Sequence, residues 1–389
     1  MRNLHVVFLS YWYKANVSTP EELLAAYPTL TGWVDALHGE GAEVTVLQRF
    51  PRRAELRRNG VTFVFHPDRF GPWLRSWQIP WSLHRAILKL TSLSDADPLV
   101  VHFDSLGFPI QLRALRFLLP ARSPIAVQHH AEKSWPKYRR PLQTWGLKGA
   151  DGFFFAASEL ASPWIEQGMI GSQQPVYQIM EGSTQFRRQD REAARAQSKM
   201  TGAPVVLWVG RLIALKDPLT VLKGFQLVLR QMPHARLHMV YGSDDLLPEV
   251  RAYLAQSPSV SASVTLRGSL PHAALENIYN SADYFVLGSH YEGSGYSLAE
   301  AMACGVVPVV TDIASFRAMT DNGRIGACWP AGDAEAFAKA FLRIATRPLR
   351  ELSGEAERFF ENHLSYPAIA RKALRAYQEL AGRRAVQHP

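Results

Sequence analysis

The stretch Tyr284-Phe-Val-Leu-Gly-Ser-His-Tyr-Glu292-Gly-Ser-Gly-Tyr-Ser-Leu-Ala-Glu300-Ala-Met-Ala-Cys-Gly305-Val-Val-Pro-Val-Val310 decides the fold. Two short apolar runs, 284–287 and 306–310, flank a small-residue loop and a helical run. Near-continuous apolar strands alternating with helices indicate a parallel sheet covered on both faces. Ligands of such open sheets bind beyond the carboxyl ends of the strands, so a site is expected just after residue 287. There Gly293, Ser294 and Gly295 let the backbone approach a ligand, and the following helix offers unpaired N–H groups to an anion. Glu292 stands in the loop and Glu300 near the second turn of the helix, a spacing that lets one ligand meet both.

The same rhythm runs outward in both directions. In the first half, strands are expected at 4–9, 43–48, 61–65, 99–103, 124–128, 152–156 and 175–180. Helices are expected at 30–39, where Leu30, Val34 and Leu37 recur at helical spacing, and at 159–168, opened by Ser158 and closed by Gly168. Residues 181–202 read as a linker. Strands then resume at 205–209, 237–241, 264–266, 284–287 and 306–310. At 389 residues the chain is long enough for two cores. The expected architecture is α/β, with two Rossmann-like doubly wound domains, 1–187 and 188–365, facing across a cleft. A C-terminal helix within 366–389 is expected to pack back toward the first.

Composition excludes several classes. Hydrophobic residues make up 47% and charged ones 20%, which is ordinary for a globular chain and poor for disorder. The N-terminal apolar run is too short for a signal peptide, and no run approaches a membrane span, so a cytoplasmic protein is expected. Only Cys304 and Cys328 occur, without a Cys/His cluster, so neither a disulfide scaffold nor a zinc site is expected. The net charge of +9 is unevenly spread. Residues 49–89 carry nine Lys/Arg against two Asp/Glu and residues 366–389 five against one, whereas 188–365 carry 18 of each. A nucleic-acid protein should show a basic stripe over its working face. The local excess instead suggests an anionic surface. Trp73, Trp77 and Trp81 among the arginines of 49–89 fit either of two readings: rings packed in the first domain's core beneath a solvated basic face, or a surface held peripherally in the headgroup layer of a membrane's inner face.

Three loops at strand ends carry chemistry. After 205–209, Gly210-Arg211-Leu-Ile-Ala-Leu-Lys216 sets a guanidinium and an ammonium around a helix start, a pair suited to a diphosphate. After 237–241 comes Gly242-Ser-Asp-Asp, and after 284–287 the quoted stretch. In the first half, Ile-Ala-Val-Gln-His129-His130 puts two histidines at a strand end, and His102 is another candidate. Asp95-Ala-Asp97 has the form of a metal-binding Asp-x-Asp but precedes a strand instead of ending one.

From 205 to about 346 the chain resembles the retaining nucleotide-sugar glycosyltransferases of family 4, which have the B-type glycosyltransferase fold. The resemblance rests on Val-Gly-Arg-Leu-x2-Leu-Lys-Asp-Pro-Leu-Thr, Leu-Arg-Gly-Ser-Leu-Pro-His, and the Glu292-x7-Glu300 element in its frame. It implies that Arg211 and Lys216 bind the donor diphosphate, Glu300 the ribose hydroxyls and Glu292 the donor sugar. The backbone of Gly210, the amides of Gly293, Ser294, Gly295, Tyr296 and Ser297, and the chain around Ser269 and Leu270 would complete the donor site. The active-site histidine would be His130 or its neighbour His129, the pattern favouring His130. No metal and no cofactor beyond the nucleoside-diphosphate sugar are implied, and the acceptor would be a glycan, a lipid-linked molecule or a small molecule. The family's Gly-Gly turn after the first strand is replaced by Ser10-Tyr-Trp-Tyr-Lys14, so the acceptor side is unusual. The alternatives are a nucleotide-sugar epimerase on the same fold and a non-catalytic bilobed sugar binder.

Overall fold

Val6, Val7, Phe8 and Leu9 build β1 (His5–Ser10), which is buried along its whole length, as a strand covered on both faces must be. A computed structural model describes residues 4–93 and 99–387, so Asp95-Ala-Asp97 lies outside the described residues. The chain divides into two compact units: Met1–Ser183 with Tyr366–Pro389, and Thr184–Ser365.

The first unit runs β1, α1 (Pro20–Ala26), α2 (Pro28–Gly39), β2 (Glu43–Arg49), β3 (Ala54–Arg58), β4 (Val61–His66), α3 (Trp81–Leu93), β5 (Leu99–Phe103), α4 (Pro109–Leu118), β6 (Ile125–Gln128), α5 (Arg140–Leu147), β7 (Gly152–Phe155), α6 (Ser162–Glu166) and β8 (Val176–Gln178). Its sheet order is β3-β4-β2-β1-β5-β6-β7-β8, parallel except for β3, which pairs antiparallel with β4. Alternate residues of the central strands serve opposite faces. Val7, Leu9, Val101 and Phe103 pack with Leu83 and Ile87 of α3, Leu112 and Leu115 of α4 and Leu147 of α5. Phe8 meets Trp33 of α2 on the other side.

The second unit runs α7 (Arg191–Ser198), β9 (Val205–Gly210), α8 (Pro218–Leu229), β10 (Arg236–Tyr241), α9 (Leu247–Gln256), α10 (Pro258–Ser261), β11 (Val264–Gly268), α11 (His272–Asn280), β12 (Tyr284–Leu287), α12 (Tyr296–Ala303), β13 (Val307–Thr311), α13 (Ala314–Met319), β14 (Ala327–Trp329), α14 (Ala334–Ile344) and α15 (Leu349–Phe359). Its sheet, β11-β10-β9-β12-β13-β14, is wholly parallel. The final helix, α16 (Tyr366–Gln387), belongs to the first unit and packs on α2. A Cβ at Gly32 would lie 2.5 Å from the Tyr366 ring, so glycine there is what lets the two helices meet.

Three expectations are corrected. Residues 181–202 are not a plain linker, since α7 forms within them. Asp190 caps that helix by accepting from the Ala193 N–H at 2.8 Å, and Arg195 donates to Asp283 at 2.7 Å. The helix expected at 159–168 is a 3-10 turn over Ser158–Ala161 followed by the short α6, with Gly168 closing it in the left-handed region at φ +66°. Strands β3 and β14 were not expected at all.

Candidate active site

In the second unit the strand order reverses between β9 and β12, so their two outgoing loops are neighbours at the carboxyl edge of the sheet. Gly288 brings them close: a Cβ there would lie 2.8 Å from the Asp217 carbonyl and 3.3 Å from that of Lys216. The His290 N–H donates to the Leu215 carbonyl at 2.9 Å, stitching loop to loop. Asp217, left-handed at φ 41°, caps α8 and also meets His290 Nε2 at 3.1 Å. On this frame the Lys216 ammonium is ion-paired with Glu292, whose Oε1 also accepts from Ser289 Oγ at 2.6 Å. Arg211 stands exposed at the start of the same loop.

Helix α12 starts at Gly295, which is left-handed at φ +65° with a Cβ position 2.8 Å from Phe316, so both conformation and space demand glycine. No side chain caps this helix, and the Leu298 N–H donates to the Gly295 carbonyl at 3.0 Å. Ser294 is buried just before it, and its Oγ has no hydrogen-bond partner. Glu300 is held from two sides, by His272 Nε2 at 2.9 Å and by the Tyr279 hydroxyl at 2.9 Å. The hydrogen bond to Glu300 raises the His272 pKa, while burial and then the Glu300 charge push Tyr279 well above its ordinary value. Exposed Ser269 and half-buried Leu270 lie in the short connection between β11 and α11, immediately before His272.

The first unit builds its own charged cluster where β5, β6 and β8 end. His130 lies between two carboxylates, with Nε2 2.6 Å from Asp104 and Nδ1 2.8 Å from Glu181. Its backbone N–H donates to Glu132 at 2.5 Å. Burial alone would lower its pKa, but Asp104 and Glu181 outweigh that and hold it well above 6.5. About a third of the side chain, 35%, remains exposed. His129 points inward instead, stacked on Phe155 with centroids 4.6 Å apart, and burial lowers its pKa. His102 is also a core group, bonded to the Tyr377 hydroxyl at 2.6 Å and pushed down to about 3 by burial and the His130 charge.

A pH prediction follows from the sign of these shifts. A histidine raised above its unfolded value adds stability that is present in full below about pH 6.5 and lost as pH rises through the folded value. His130 is therefore expected to titrate well above 6.5 by imidazole NMR, and Asp104→Asn to bring it down. A His130 resonance titrating at or below 6.5 would contradict the ion-paired geometry.

Asp104, Glu181 and Tyr279 were not singled out from the sequence, and His272 stood there only as the last residue of the Leu-Arg-Gly-Ser-Leu-Pro-His motif, with no role attached. The one available signal was position, since Asp104 directly follows β5.

Residues 190–362 match the family model described as "Glycosyl transferases group 1", which spans nearly all of the second unit. Over residues 190–362 the second unit is similar to the group 1 glycosyl transferases. The D-inositol 3-phosphate glycosyltransferase of Rhodococcus erythropolis is 30% identical over 206 residues, 51% of this chain and 46% of the relative. The mannosylfructose-phosphate synthase of Agrobacterium fabrum is 35% identical over 113 residues, 28% of this chain and 25% of the relative. The chain thus spans about half the length, or less, of the curated relatives it matches. Two solved structures align over nearly the whole chain. A glycosyltransferase from Rickettsia africae superposes with TM-score 0.69 at 12% identity, covering 97% of this chain and 98% of its own. The sucrose-phosphate synthase of Thermosynechococcus elongatus superposes with TM-score 0.66 at 18% identity, covering 98% and 100%. The chain has the B-type glycosyltransferase fold.

Proposed function

We propose that the protein moves a sugar from a nucleoside-diphosphate sugar to an acceptor hydroxyl with retention of configuration. The observation that carries this reading is the meeting of Lys216, Glu292 and the uncapped start of α12 at the carboxyl edge of one parallel sheet, with Arg211 on the same β9 loop. Arg211 and Lys216 neutralise the diphosphate as the bond to the anomeric carbon breaks and its electron pair passes to the leaving oxygen. The first-turn amides of α12 and Ser294 bind the sugar and phosphates, and Glu300, braced by His272 and Tyr279, binds the ribose. Glu292 orients Lys216 and faces the sugar, while the chain at Ser269 and Leu270 meets the base. His130 of the first unit, ion-paired with Asp104 and Glu181, is the residue to which the resemblance assigns the family's active-site histidine. Two cations can supply the charge stabilisation otherwise asked of a metal ion, so the transfer is proposed to be metal-independent. The names of two curated relatives, a D-inositol 3-phosphate glycosyltransferase and a mannosylfructose-phosphate synthase, are the support for trying phosphorylated small molecules first as acceptors.

The test is incubation with a panel of uridine, guanosine and adenosine diphosphate sugars, with and without EDTA, reading release of the nucleoside diphosphate. One donor is expected to be consumed, slowly without acceptor, and equally in EDTA. An epimerised donor, or tight binding without turnover, would overturn the reading.

A further inference from the structure

We infer that the face of the first unit formed around α3, α4 and α5 docks on an anionic phospholipid bilayer. The face comes from three segments, 69–93, 109–122 and 133–148, whose helices share one core beneath them. Among the described residues, eleven large hydrophobic side chains are exposed, and seven of them lie in these segments. Trp73, Trp77 and Trp81 come from the first, Phe117 from the second, and Tyr138, Leu142 and Trp145 from the third; Trp73 is 76% exposed, Phe117 71% and Tyr138 81%. Scattered single apolar residues on a surface need no explanation, but such a concentration does.

The segments are tied into one surface. Gln111 Nε2 of α4 donates to the carbonyls of Arg75 and Ser76 at 3.2 Å and of Gln78 at 2.8 Å. Arg139 donates to Ser76 Oγ at 3.1 Å. Gly146 of α5 packs on Pro109 of α4, where a Cβ would lie 2.3 Å from the Pro109 carbonyl oxygen.

Charge on this surface has a single sign. The segments hold four, three and five Lys/Arg in turn, and no Asp or Glu. The cations are interleaved with the rings: Arg113 lies 4.9 Å from the Phe117 centroid and 5.4 Å from that of Trp145, and Arg139 lies 4.5 Å from Trp135. The flanking carboxylates are already engaged, Glu132 with Ser105 and His130, and Asp151 with Arg116 and Arg384.

These features also redraw the basic region expected at 49–89. Arg49 is buried against Asp68, Arg52 donates to the Ser18 carbonyl, and Arg58 pairs with Asp35 of α2 on the opposite side of the sheet. The docking surface therefore begins near residue 69 and extends into α4 and α5, which the charge count had not included.

A bilayer suits this surface better than the other occupants. A second copy would set like charges against each other. A nucleic acid would satisfy the cations but offers no apolar layer for Phe117 and Leu142. An anionic leaflet offers both, with an interfacial zone where Trp and Tyr rings settle and a negative potential that draws Lys and Arg. Among the described residues no helix is long and apolar enough to cross a membrane, so the contact is peripheral.

The test is sedimentation of the full chain with vesicles of phosphatidylglycerol and phosphatidylcholine, against vesicles of phosphatidylcholine alone. Binding to the anionic vesicles at low salt, weakened at high salt, is expected. Arg75→Gln and Lys137→Gln should each lower the partition coefficient about fivefold, and the double variant Trp73→Ser/Phe117→Ser about tenfold or more. Arg371→Gln on α16 should leave it unchanged. All these side chains are exposed, so folding should persist, which circular dichroism can check. Bromine-labelled lipid should quench the tryptophan fluorescence of the bound protein, and less so in Trp73→Phe/Trp77→Phe. Equal binding to neutral vesicles, no binding at low salt, or aromatic variants that bind as wild type would overturn the proposal. Aromatic variants that bind as wild type, together with release by an oligonucleotide, would make the face a general polyanion surface.

Discussion

Arg211→Ala and Lys216→Ala are each expected to lower kcat about a hundredfold or more, the loss seen when one preorganised donor to a developing negative charge is removed. Both are proposed to act on charge that grows as the diphosphate leaves, and on that reading the loss should fall on kcat more than on KM. Lys216 should be the costlier of the two. Its ammonium is paired with Glu292, and both side chains are largely buried, at 13% and 12% exposed. Removing it leaves the Glu292 carboxylate unpaired beside the incoming diphosphate, which adds repulsion to the lost attraction. Lys216→Ala/Glu292→Gln should therefore bind nucleoside diphosphate more tightly than Lys216→Ala alone. Steady-state kinetics on the four proteins decides this, and near-normal turnover in both single variants would contradict the assignment.

Glu300→Gln should weaken binding of the free nucleoside diphosphate about tenfold or more, whereas Glu292→Gln should leave that affinity nearly unchanged and damage transfer. The difference comes from what holds each carboxylate. Glu300 accepts from Tyr279 and His272, so its oxygens are fixed, and the remaining lone pairs are the ones proposed to meet the ribose hydroxyls. Its amide would present an N–H₂ group to one of these donors or to the ribose, breaking the pattern. Glu292 belongs to the Lys216 pair at the proposed sugar end and has no assigned contact with the nucleoside. Isothermal calorimetry with the nucleotide alone is the measurement. Equal losses in the two variants would refute the division of labour.

What could be read from the sequence and what could not differ for physical reasons. Strands such as β9 and β12 are apolar on both faces because helices cover both, so they announce themselves as continuous runs. β3 is an antiparallel edge strand, Ala-Glu-Leu-Arg-Arg, whose alternating exposure leaves it with little apolar content. β14 is only three residues long. α7 was hidden because only Ala194 is buried among its residues, and it is fastened by its Asp190 cap and by Arg191 and Arg195 on Asp283 rather than by an apolar stripe. Of the candidate site residues, Arg211, Lys216 and Glu292 could be picked out because each sits in a loop at a strand end, and Glu300 because of its fixed spacing from Glu292 along α12. The partners of His130 were not. Asp104 and Glu181 reach His130 from strands 26 residues before and 51 residues after it, and such pairings leave no local periodicity to read.

The most direct test of the central claim follows a donor sugar labelled with carbon-13 at its anomeric position, under single-turnover conditions, by NMR. The label is expected to leave the nucleoside diphosphate and appear in a product whose anomeric configuration matches that of the donor, at an unchanged rate in EDTA and about a hundredfold more slowly in Arg211→Ala. A product of inverted configuration, or a label that stays on the nucleotide with its sugar epimerised or unchanged, would contradict it.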